Sequence, residues 1–218
     1  MPTANPTSPP RTYQIHRERQ RRRILEAAER LFDEHGIDRV TMREIISATG
    51  LRTSTIYQYF SSKDDIVWAI LEGVLADLAA RAKIAIDREK TVLAKITALL
   101  ELMADDLTRN QAKVRFLAQF DAMYARDGRA ERLLTLEAQI NPDGFQHFSR
   151  LIREGITDGS LRADLDPDLT LHAMINAVVG AQRRLASLGS RVELEYGQPI
   201  DSLFRETIRL ILLGMRAT

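Results

Sequence analysis

The stretch "TMREIISATGLRTSTIYQYFSSKDD", residues 41–65, contains two short apolar patterns that are separated by a single glycine. Thr41 and Glu44 have the spacing of a capping box, which predicts that a helix begins at this point. Gly50 can adopt the left-handed conformation that ends such a helix. A second helix is predicted to follow over about residues 52–60. Two short helices joined by a glycine turn predict a helix-turn-helix, a motif that presents its second helix to the DNA major groove.

The outward positions of the second helix carry hydroxyl, amide and guanidinium groups. They carry no carboxylate, and the phosphates of DNA would repel a carboxylate. Arg52 can reach guanine edges and Gln58 can hydrogen-bond a base, while threonine methyl groups can contact thymine. Thr41, Tyr57 and Lys63 are suited to phosphate anchoring, which sets the register without reading sequence. The predicted DNA-binding residues are Thr41, Arg43, Arg52, Thr53, Ser54, Thr55, Tyr57, Gln58, Tyr59 and Lys63.

The composition of the 218-residue chain favours helix over strand, because Ala, Leu, Ile, Arg and Glu are abundant and aromatic residues make up only 6%. There is no cysteine, which excludes disulfides, thiolate metal sites and cysteine nucleophiles. The best apolar run, residues 173–181, is too short to cross a membrane, and the N-terminal segment lacks a signal-peptide core. We therefore predict a soluble, cytoplasmic protein.

The pattern along the chain predicts an all-α protein with two folded parts. Residues 1–13, with four prolines among the first ten, are predicted to be a disordered tail. Residues 14–66 form a predicted three-helix helix-turn-helix domain, and residues 67–218 form a larger helical domain. A long helix predicted over residues 63–86 would connect the two parts.

The charge of the chain is nearly balanced at +1, but one segment is strongly basic. Residues 11–23 contain six arginines and one acid, Glu18, which gives a net charge of +6 − 1 = +5. Such a block is either a solvated tail or an arm that follows a polyanion. The pattern alone leaves both interpretations open.

An ordered series of residues in the N-terminal region is typical of one protein family. The series consists of Ala27, Ala28, Leu31, Phe32 and Gly36, then Thr41, Arg43, Glu44 and Ile45, then Gly50, Leu51, Ile56, Tyr57, Tyr59, Phe60, Ser62 and Lys63. With these features, residues 21–71 resemble the DNA-binding domain of TetR-type transcriptional regulators. Ile46, Thr49 and Ser54 depart from the family pattern, so no base-by-base code can be transferred. The resemblance implies a repressor that binds a palindromic operator as a homodimer and is released by a small hydrophobic ligand.

The last two long helices carry apolar residues at coiled-coil-like spacing or over a wide arc. Such an arc is commonly plain core, but the resemblance implies that these helices form a four-helix dimer interface. The residues predicted for this interface are Met174, Val178, Ala181, Leu185, Phe204, Ile208, Ile211 and Leu212. The resemblance thus makes residues 67–218 a ligand-binding and dimerisation domain.

Phe116, Phe120 and Tyr124 have i, i+4, i+8 spacing and share one helix face. An ordinary core stripe explains each of them singly, but the resemblance implies a cavity for a hydrophobic effector among the middle helices. Apolar walls with a few polar orienting groups are typical of such cavities. The residues predicted to bind the effector are Met103, Phe116, Gln119, Phe120, Met123, Tyr124, Phe148, His172 and Asn176.

Two other classes of protein remain as alternatives, an enzyme and a helical small-molecule-binding protein whose helix-turn-helix is non-functional. The four histidines have no metal-binding spacing, and the sequence contains no phosphate-binding glycine loop or nucleophile elbow. We therefore predict no enzymatic activity, no cofactor and no metal. A hydroxyl-rich surface helix alone is more often just a solvated face, and only the complete motif favours DNA binding.

Overall fold

The structure is a computed structural model that describes residues 11–127, 130–140 and 144–217. Within these residues it contains eleven α-helices and no strand, apart from an isolated antiparallel bridge between Leu161 and Arg216. The helices are α1 (Arg11–His35), α2 (Met42–Thr49), α3 (Thr53–Tyr57), α4 (Lys63–Ile86), α5 (Val92–Arg109), α6 (Gln111–Asp127), α7 (Ala130–Ile140), α8 (Gly144–Thr157), α9 (Pro167–Leu188), α10 (Arg191–Tyr196) and α11 (Ile200–Met215). The predicted all-α fold class is confirmed. Among these helices, none combines the length and the hydropathy that a membrane span requires.

The chain divides into two compact units, Met1–Ile70 and Leu71–Thr218. The division falls within α4, four residues beyond the boundary that the sequence predicts after residue 66. The first unit contains α1, α2, α3 and the first turns of α4. It therefore holds the whole of the predicted helix-turn-helix.

The core of the first unit collects fully buried apolar side chains from each of its helices. Ile24 and Phe32 come from α1, Ile45 from α2, Ile56 from α3 and Ile66 from α4, and each is at most 1% exposed. Burying a side chain of this size contributes about 1.5–3 kcal/mol. These contacts, rather than helix propensity, fix the orientation of the short helices.

The start and the end of α2 follow the pattern that the sequence predicts. Thr41 accepts a hydrogen bond at its Oγ1 from the backbone N–H of Glu44 at 3.3 Å, and the Glu44 carboxylate accepts one from the backbone N–H of Thr41 at 2.7 Å. Gly50 ends the helix with a φ of +62°, in the left-handed region that glycine adopts without strain. The capping box and the glycine cap are both confirmed.

The helix α3 is shorter than predicted, because it ends at Tyr57 and not at Phe60. The chain tightens into a turn in which the backbone N–H groups of Tyr59 and Phe60 both donate to the carbonyl of Ile56, at 2.9 and 3.0 Å. A helix of five residues is not stable alone, so its position depends on its anchors. Ile56 is fully buried and Phe60 is 5% exposed, and these two side chains hold α3 in place.

The second unit is a helical bundle whose core draws on α5, α6, α8, α9, α10 and α11. The helix α9 begins at Pro167, with Asp166 accepting a hydrogen bond from the backbone N–H of Leu169 at 2.9 Å. One buried polar group crosses this core: Nε2 of Gln182 donates to the backbone oxygen of Met103 at 2.7 Å. That bond ties α9 to α5.

The residues predicted to form a dimer interface belong to this core or pack against it, and their contact with a second subunit stays a prediction. Five of them are buried within a single chain, and the other three are partly buried against the same cluster. The buried five are Met174, Val178, Leu185, Phe204 and Ile208, and the partly buried three are Ala181, Ile211 and Leu212. The apolar periodicity of α9 and α11 therefore marks the face that packs inward.

One element of the second unit has no counterpart in the sequence prediction. Residues 191–196, for which the sequence predicts no helix, form α10, whose six residues are too few to show a periodic pattern. Val192 anchors this helix in the core, and Gly197 ends it with a φ of +63°. The sequence also predicts a helix end at Gly128 and a break over 141–144; residues 128 and 141–143 lie outside the described residues, and Gly144 is the first residue of α8.

Candidate nucleic-acid interface

The outer face of α3 and its flanking turns carries exposed polar side chains. The segment 45–63 contains no Asp or Glu, while Arg52 and Lys63 each contribute a positive charge. Tyr57 is 51% exposed, which is high for a side chain of its size. We call this face the α3 surface, and its exposed residues are Arg52, Thr53, Ser54, Tyr57 and Gln58. Thr55, also predicted to bind DNA, is half-buried beside them.

The start of α2 contributes Thr41 and Arg43, which are both exposed. The Thr41 hydroxyl donates to Oε2 of Glu44 at 2.8 Å, so this hydroxyl closes the capping box in both directions. Hydrogen bonds from the Thr41 backbone and hydroxyl hold the pKa of Glu44 below its usual value. Glu44 is the last acidic residue before the α3 surface. Its ionised carboxylate is held at the N-terminus of α2, where the helix dipole favours negative charge.

The turn between α2 and α3 is fixed by Thr49, which the sequence prediction did not include among the site residues. Its side chain is 1% exposed, and its Oγ1 donates to the carbonyl of Ile46 at 2.8 Å and accepts from the backbone N–H of Leu51 at 3.2 Å. A buried hydroxyl needs such partners to offset its desolvation. A threonine on the apolar face of a short helix is the signal that could have identified this role.

Two of the predicted DNA-binding residues have partners inside the first unit. The Tyr59 hydroxyl donates to Oε1 of Gln20 at 2.9 Å, and the guanidinium of Arg17 lies 5.6 Å from the centre of the Tyr59 ring. Nζ of Lys63 donates to the carbonyl of Ile37 at 2.7 Å. Both residues therefore stabilise the fold around α3, and their contact with DNA stays a prediction.

The residues around α3 thus present hydrogen-bond donors on a short helix that a packed core holds out from the domain. This geometry lets the helix enter the major groove while α2 crosses behind it. The absence of carboxylates from the face avoids repulsion by phosphates. The class of protein that fold and site define is a helix-turn-helix DNA-binding protein.

Comparison with known proteins gives the same class and a family. Residues 24–70 match the family described as bacterial regulatory proteins, tetR family. The HTH-type transcriptional repressor KstR2 of Rhodococcus jostii (strain RHA1) is 24% identical over 212 residues, which cover 96% of this chain and 97% of that protein. The uncharacterized HTH-type transcriptional regulator YfiR of Bacillus subtilis (strain 168) is 29% identical over 154 residues, covering 70% of this chain and 73% of YfiR.

The fold is shared with solved structures over most of the chain. The ketosteroid transcriptional regulator KstR2 of Mycobacterium tuberculosis superposes with a TM-score of 0.62 at 23% identity, covering 91% of this chain and 96% of that one. Residues 24–70 therefore carry the DNA-binding region of the tetR family, and the rest of the chain shares its fold with regulators of that kind.

The predicted effector-binding residues are only partly brought together. Phe116 and Phe120 are buried in α6, and the ring of Phe120 stacks on that of Tyr124 with centroids 5.9 Å apart. Gln119 and Met123 are half-buried on the same helix. These five residues form one aromatic and polar strip along α6.

The remaining predicted effector residues lie elsewhere. Met103 is half-buried in α5. His172 and Asn176 are exposed on α9, where Nδ2 of Asn176 donates to the backbone oxygen of His172 at 2.8 Å. They do not line an apolar interior within this chain. The side chain of Phe148 lies outside the described residues.

A small cavity of about 30 Å³ lies within the second unit. Its lining residues are Val74, Leu78, Arg81, Met103, Asp106, Lys113, Val114, Leu117 and Gln182. Nη1 and Nη2 of Arg81 donate to the two carboxylate oxygens of Asp106, each at 2.8 Å, so a bidentate ion pair joins α4 to α5. Ligand pockets have volumes of about 300 Å³ or more, so this cavity is far below that size.

In the ion pair beside the cavity, Asp106 is the more buried partner, and Arg81 keeps partial access to water. Burial by itself would raise the pKa of Asp106, but hydrogen bonds from Arg81 and Asn110 outweigh it and lower that pKa. Asp106 therefore stays ionised at neutral pH.

Among the described residues, no group of three or more His, Asp or Glu side chains is placed to hold a metal ion.

Proposed function

We propose that this tetR-family regulator represses transcription by binding a two-fold symmetric operator as a homodimer, and that a small apolar molecule releases it. Residues 14–66 bind DNA, and residues 67–218 bind the effector and the second subunit. The observation that carries the proposal is the exposed, carboxylate-free α3 surface on a fixed helix-turn-helix. The name of the R. jostii relative, a transcriptional repressor, supports the direction of regulation.

The α3 surface divides into residues for base recognition and residues for phosphate contact. Arg52 and Gln58 have side chains that pair with purine edges, and the methyl group of Thr53 suits thymine. Ser54 and Thr55 add hydroxyl groups that hydrogen-bond either bases or phosphates. Phosphates are contacted by Thr41, Arg43, Tyr57, Tyr59 and Lys63, which set the register.

A second subunit binds the outer faces of α9 and α11. Ala173, Ala177 and Gly180 are exposed and small, so they permit close approach of another helix. Leu210 and Leu213 are 57% and 47% exposed on α11. With Leu169, which is 69% exposed, these residues form what we call the α9–α11 surface. An exposed apolar patch of this kind is typical of a protein–protein interface.

The proposed effector binds along the aromatic strip of α6. Phe116, Phe120 and Tyr124 supply an apolar wall, with Gln119 and Met123 beside them. An apolar effector of steroid-like size is supported by the name of the M. tuberculosis relative, a ketosteroid regulator. Because ligand pockets are typically at least ten times larger than the 30 Å³ cavity, entry of such a molecule separates the helices. The resulting movement of α4 weakens operator binding, typically by about 1–3 kcal/mol.

DNA binding is tested by fluorescence anisotropy with duplexes that tile the region flanking the gene. We expect one duplex to form a specific complex whose affinity falls steeply with salt. Neither rival class, enzyme or ligand-binding scaffold, predicts such a complex. A reporter fused to that duplex is expected to rise when the gene is deleted. Absence of any duplex binding at low salt contradicts the proposal.

A further inference from the structure

The basic run that precedes the helix-turn-helix is part of α1 and contacts the turns on both sides of α3. The helix begins at Arg11, three residues before its predicted start. The guanidinium of Arg17 lies 5.6 Å from the centre of the Tyr59 ring, and that of Arg21 lies 5.6 Å from the centre of the Phe60 ring. These rings belong to the turn that follows α3.

A third arginine reaches the turn that precedes α3. A Cβ atom at Gly50 would lie 3.4 Å from Nη2 of Arg23, so this guanidinium sits against the glycine turn. Arg17, Arg21 and Arg23 are nevertheless exposed. Within the described residues, none of the three guanidinium groups forms an ion pair with a carboxylate. We call these three residues the α1 arginine set.

The geometry of α1 separates this set from the other arginines of the run. At about 100° per residue, Arg17, Arg21 and Arg23 lie within roughly 100° of the buried Ile24. Arg19 and Arg22 lie roughly 140–160° from Ile24, on the side of α1 away from the core. The run therefore contains two groups of equal chemistry and different placement.

We infer that the α1 arginine set binds successive DNA phosphates along one strand, at the edge of the groove that α3 enters. The inference rests on the proposed DNA binding and extends the interface beyond the family match, which begins at residue 24. The six residue steps of helix from Arg17 to Arg23 rise about 9 Å, close to the roughly 10 Å of three phosphate intervals along one strand. Guanidinium groups that have no carboxylate partner among the described residues, and that continue a face without carboxylates, match a polyanion in charge and in position.

The contacts of the set explain why a duplex suits it better than an anionic membrane. A helix that lies on a membrane needs an apolar face for the lipid. The apolar face of α1, with Ile24 and Phe32, is buried in the core of the unit. Stacking on Tyr59 and Phe60 also holds two of the cations at fixed positions next to α3, which favours a partner of fixed geometry.

The test compares two double variants of the full-length protein, Arg17→Gln with Arg23→Gln and Arg19→Gln with Arg22→Gln. Both remove two positive charges from α1, so they match in charge; the first also removes the contacts of Arg17 with Tyr59 and of Arg23 with the glycine turn. Operator affinity is measured by anisotropy over a range of salt concentrations. Each lost phosphate contact reduces the slope of log K against log salt by about 0.9. We expect the first variant to lose about 1.8 per bound subunit and the second to keep the wild-type slope.

Three further results decide between explanations. The charge-preserving variant Arg17→Lys with Arg23→Lys is expected to keep most of the slope, with circular dichroism verifying that all variants are folded. Equal slope losses in both Gln variants, or none in either, overturn the role of the α1 arginine set while leaving DNA binding by α3 intact. Wild-type protein that binds no duplex removes the proposed function and this inference together. Binding to phosphatidylserine vesicles that needs Arg17 and Arg23, with an unchanged DNA slope, assigns the set to lipid instead.

Discussion

The α3 surface and the α9–α11 surface are both exposed, but water interacts with them differently. Hydroxyl, amide and guanidinium groups at α3 are hydrogen-bonded by water when no partner is present. Leu169 and Leu210, at 69% and 57% exposed, instead leave apolar surface in contact with water. Burying that surface would gain about 25 cal/mol of free energy per Å². The first surface therefore suits a hydrated, charged partner, and the second suits another protein surface. Exposure alone does not identify a partner, whereas the chemistry of what is exposed does.

The largest expected effect tests whether the α9–α11 surface is an interface. Leu213→Glu places a carboxylate there, and burying it without a partner costs several kcal/mol. We expect the dimer dissociation constant to rise at least a hundredfold, or about 3 kcal/mol, as measured by sedimentation equilibrium. Operator affinity should fall with it, because one subunit contacts only one half-site.

Leu134→Glu is the matched control for that variant. Leu134 is 63% exposed on α7, outside the α9–α11 surface, and receives the same carboxylate. It should leave the dimer intact. If Leu213→Glu dimerises as tightly as the wild type, the dimer uses another surface, and the α9–α11 surface is not a protein–protein interface.

The next largest effect concerns the ion pair in the interior of the second unit. Asp106→Asn removes the charge that Arg81 pairs with, and Arg81, with a side chain 31% exposed, keeps partial access to water. We expect a loss of about 2–3 kcal/mol in the free energy of unfolding, measured by urea denaturation. Asp87→Asn, which removes a pair with Lys83 exposed on the surface, is the control and should change little.

The same pair predicts how stability depends on pH. Because the pKa of Asp106 is lowered in the folded state, its contribution is fully present above the unfolded pKa of about 3.9. That contribution is lost as pH falls through the folded pKa. The wild type should therefore lose stability more steeply than Asp106→Asn below about pH 4. Parallel curves for the two proteins would contradict the assigned role of the carboxylate.

A smaller effect is expected from reading the α3 surface residue by residue. Arg52→Ala should reduce discrimination at one base pair of the operator by about 1–3 kcal/mol, measured by competition with single-base variants of the duplex. Tyr57→Phe removes only a hydroxyl predicted to contact phosphate, so it should weaken all duplexes alike. An Arg52→Ala protein with an unchanged base preference would place sequence reading elsewhere.

The two surfaces also differ in how far the sequence predicts them. Around α3 the deciding signals are local: Thr41, Glu44 and Gly50 are close in sequence, and each determines a hydrogen bond or a φ within its own turn. Local signals of this kind predict helix ends well. They did not predict the early end of α3, because the turn at Tyr59 and Phe60 is set by burial of Phe60 in the core.

On α9 and α11 the apolar arc is wide, and periodicity cannot say which part of the arc meets the same chain and which part is left outside. Val178 and Phe204, which the resemblance places at the dimer interface, are both buried within one subunit, as plain core would also be. The exposed positions that remain, such as Ala177 and Gly180, are small and give a weak apolar signal. The positions of Arg17 and Arg23 next to α3 also depend on tertiary packing, which the run of arginines does not reveal.

The smallest effect expected concerns what holds the α3 surface in place. Thr41→Ala removes the side-chain cap of α2 and should lower the free energy of unfolding by about 1 kcal/mol. Thr41→Ser keeps an oxygen that accepts from the backbone of Glu44 and should stay close to the wild type. Both are measured by urea denaturation and by operator affinity. If Thr41→Ala loses affinity but no stability, Thr41 acts mainly on phosphate; if it loses both and Thr41→Ser loses neither, the cap positions the helix that carries the α3 surface.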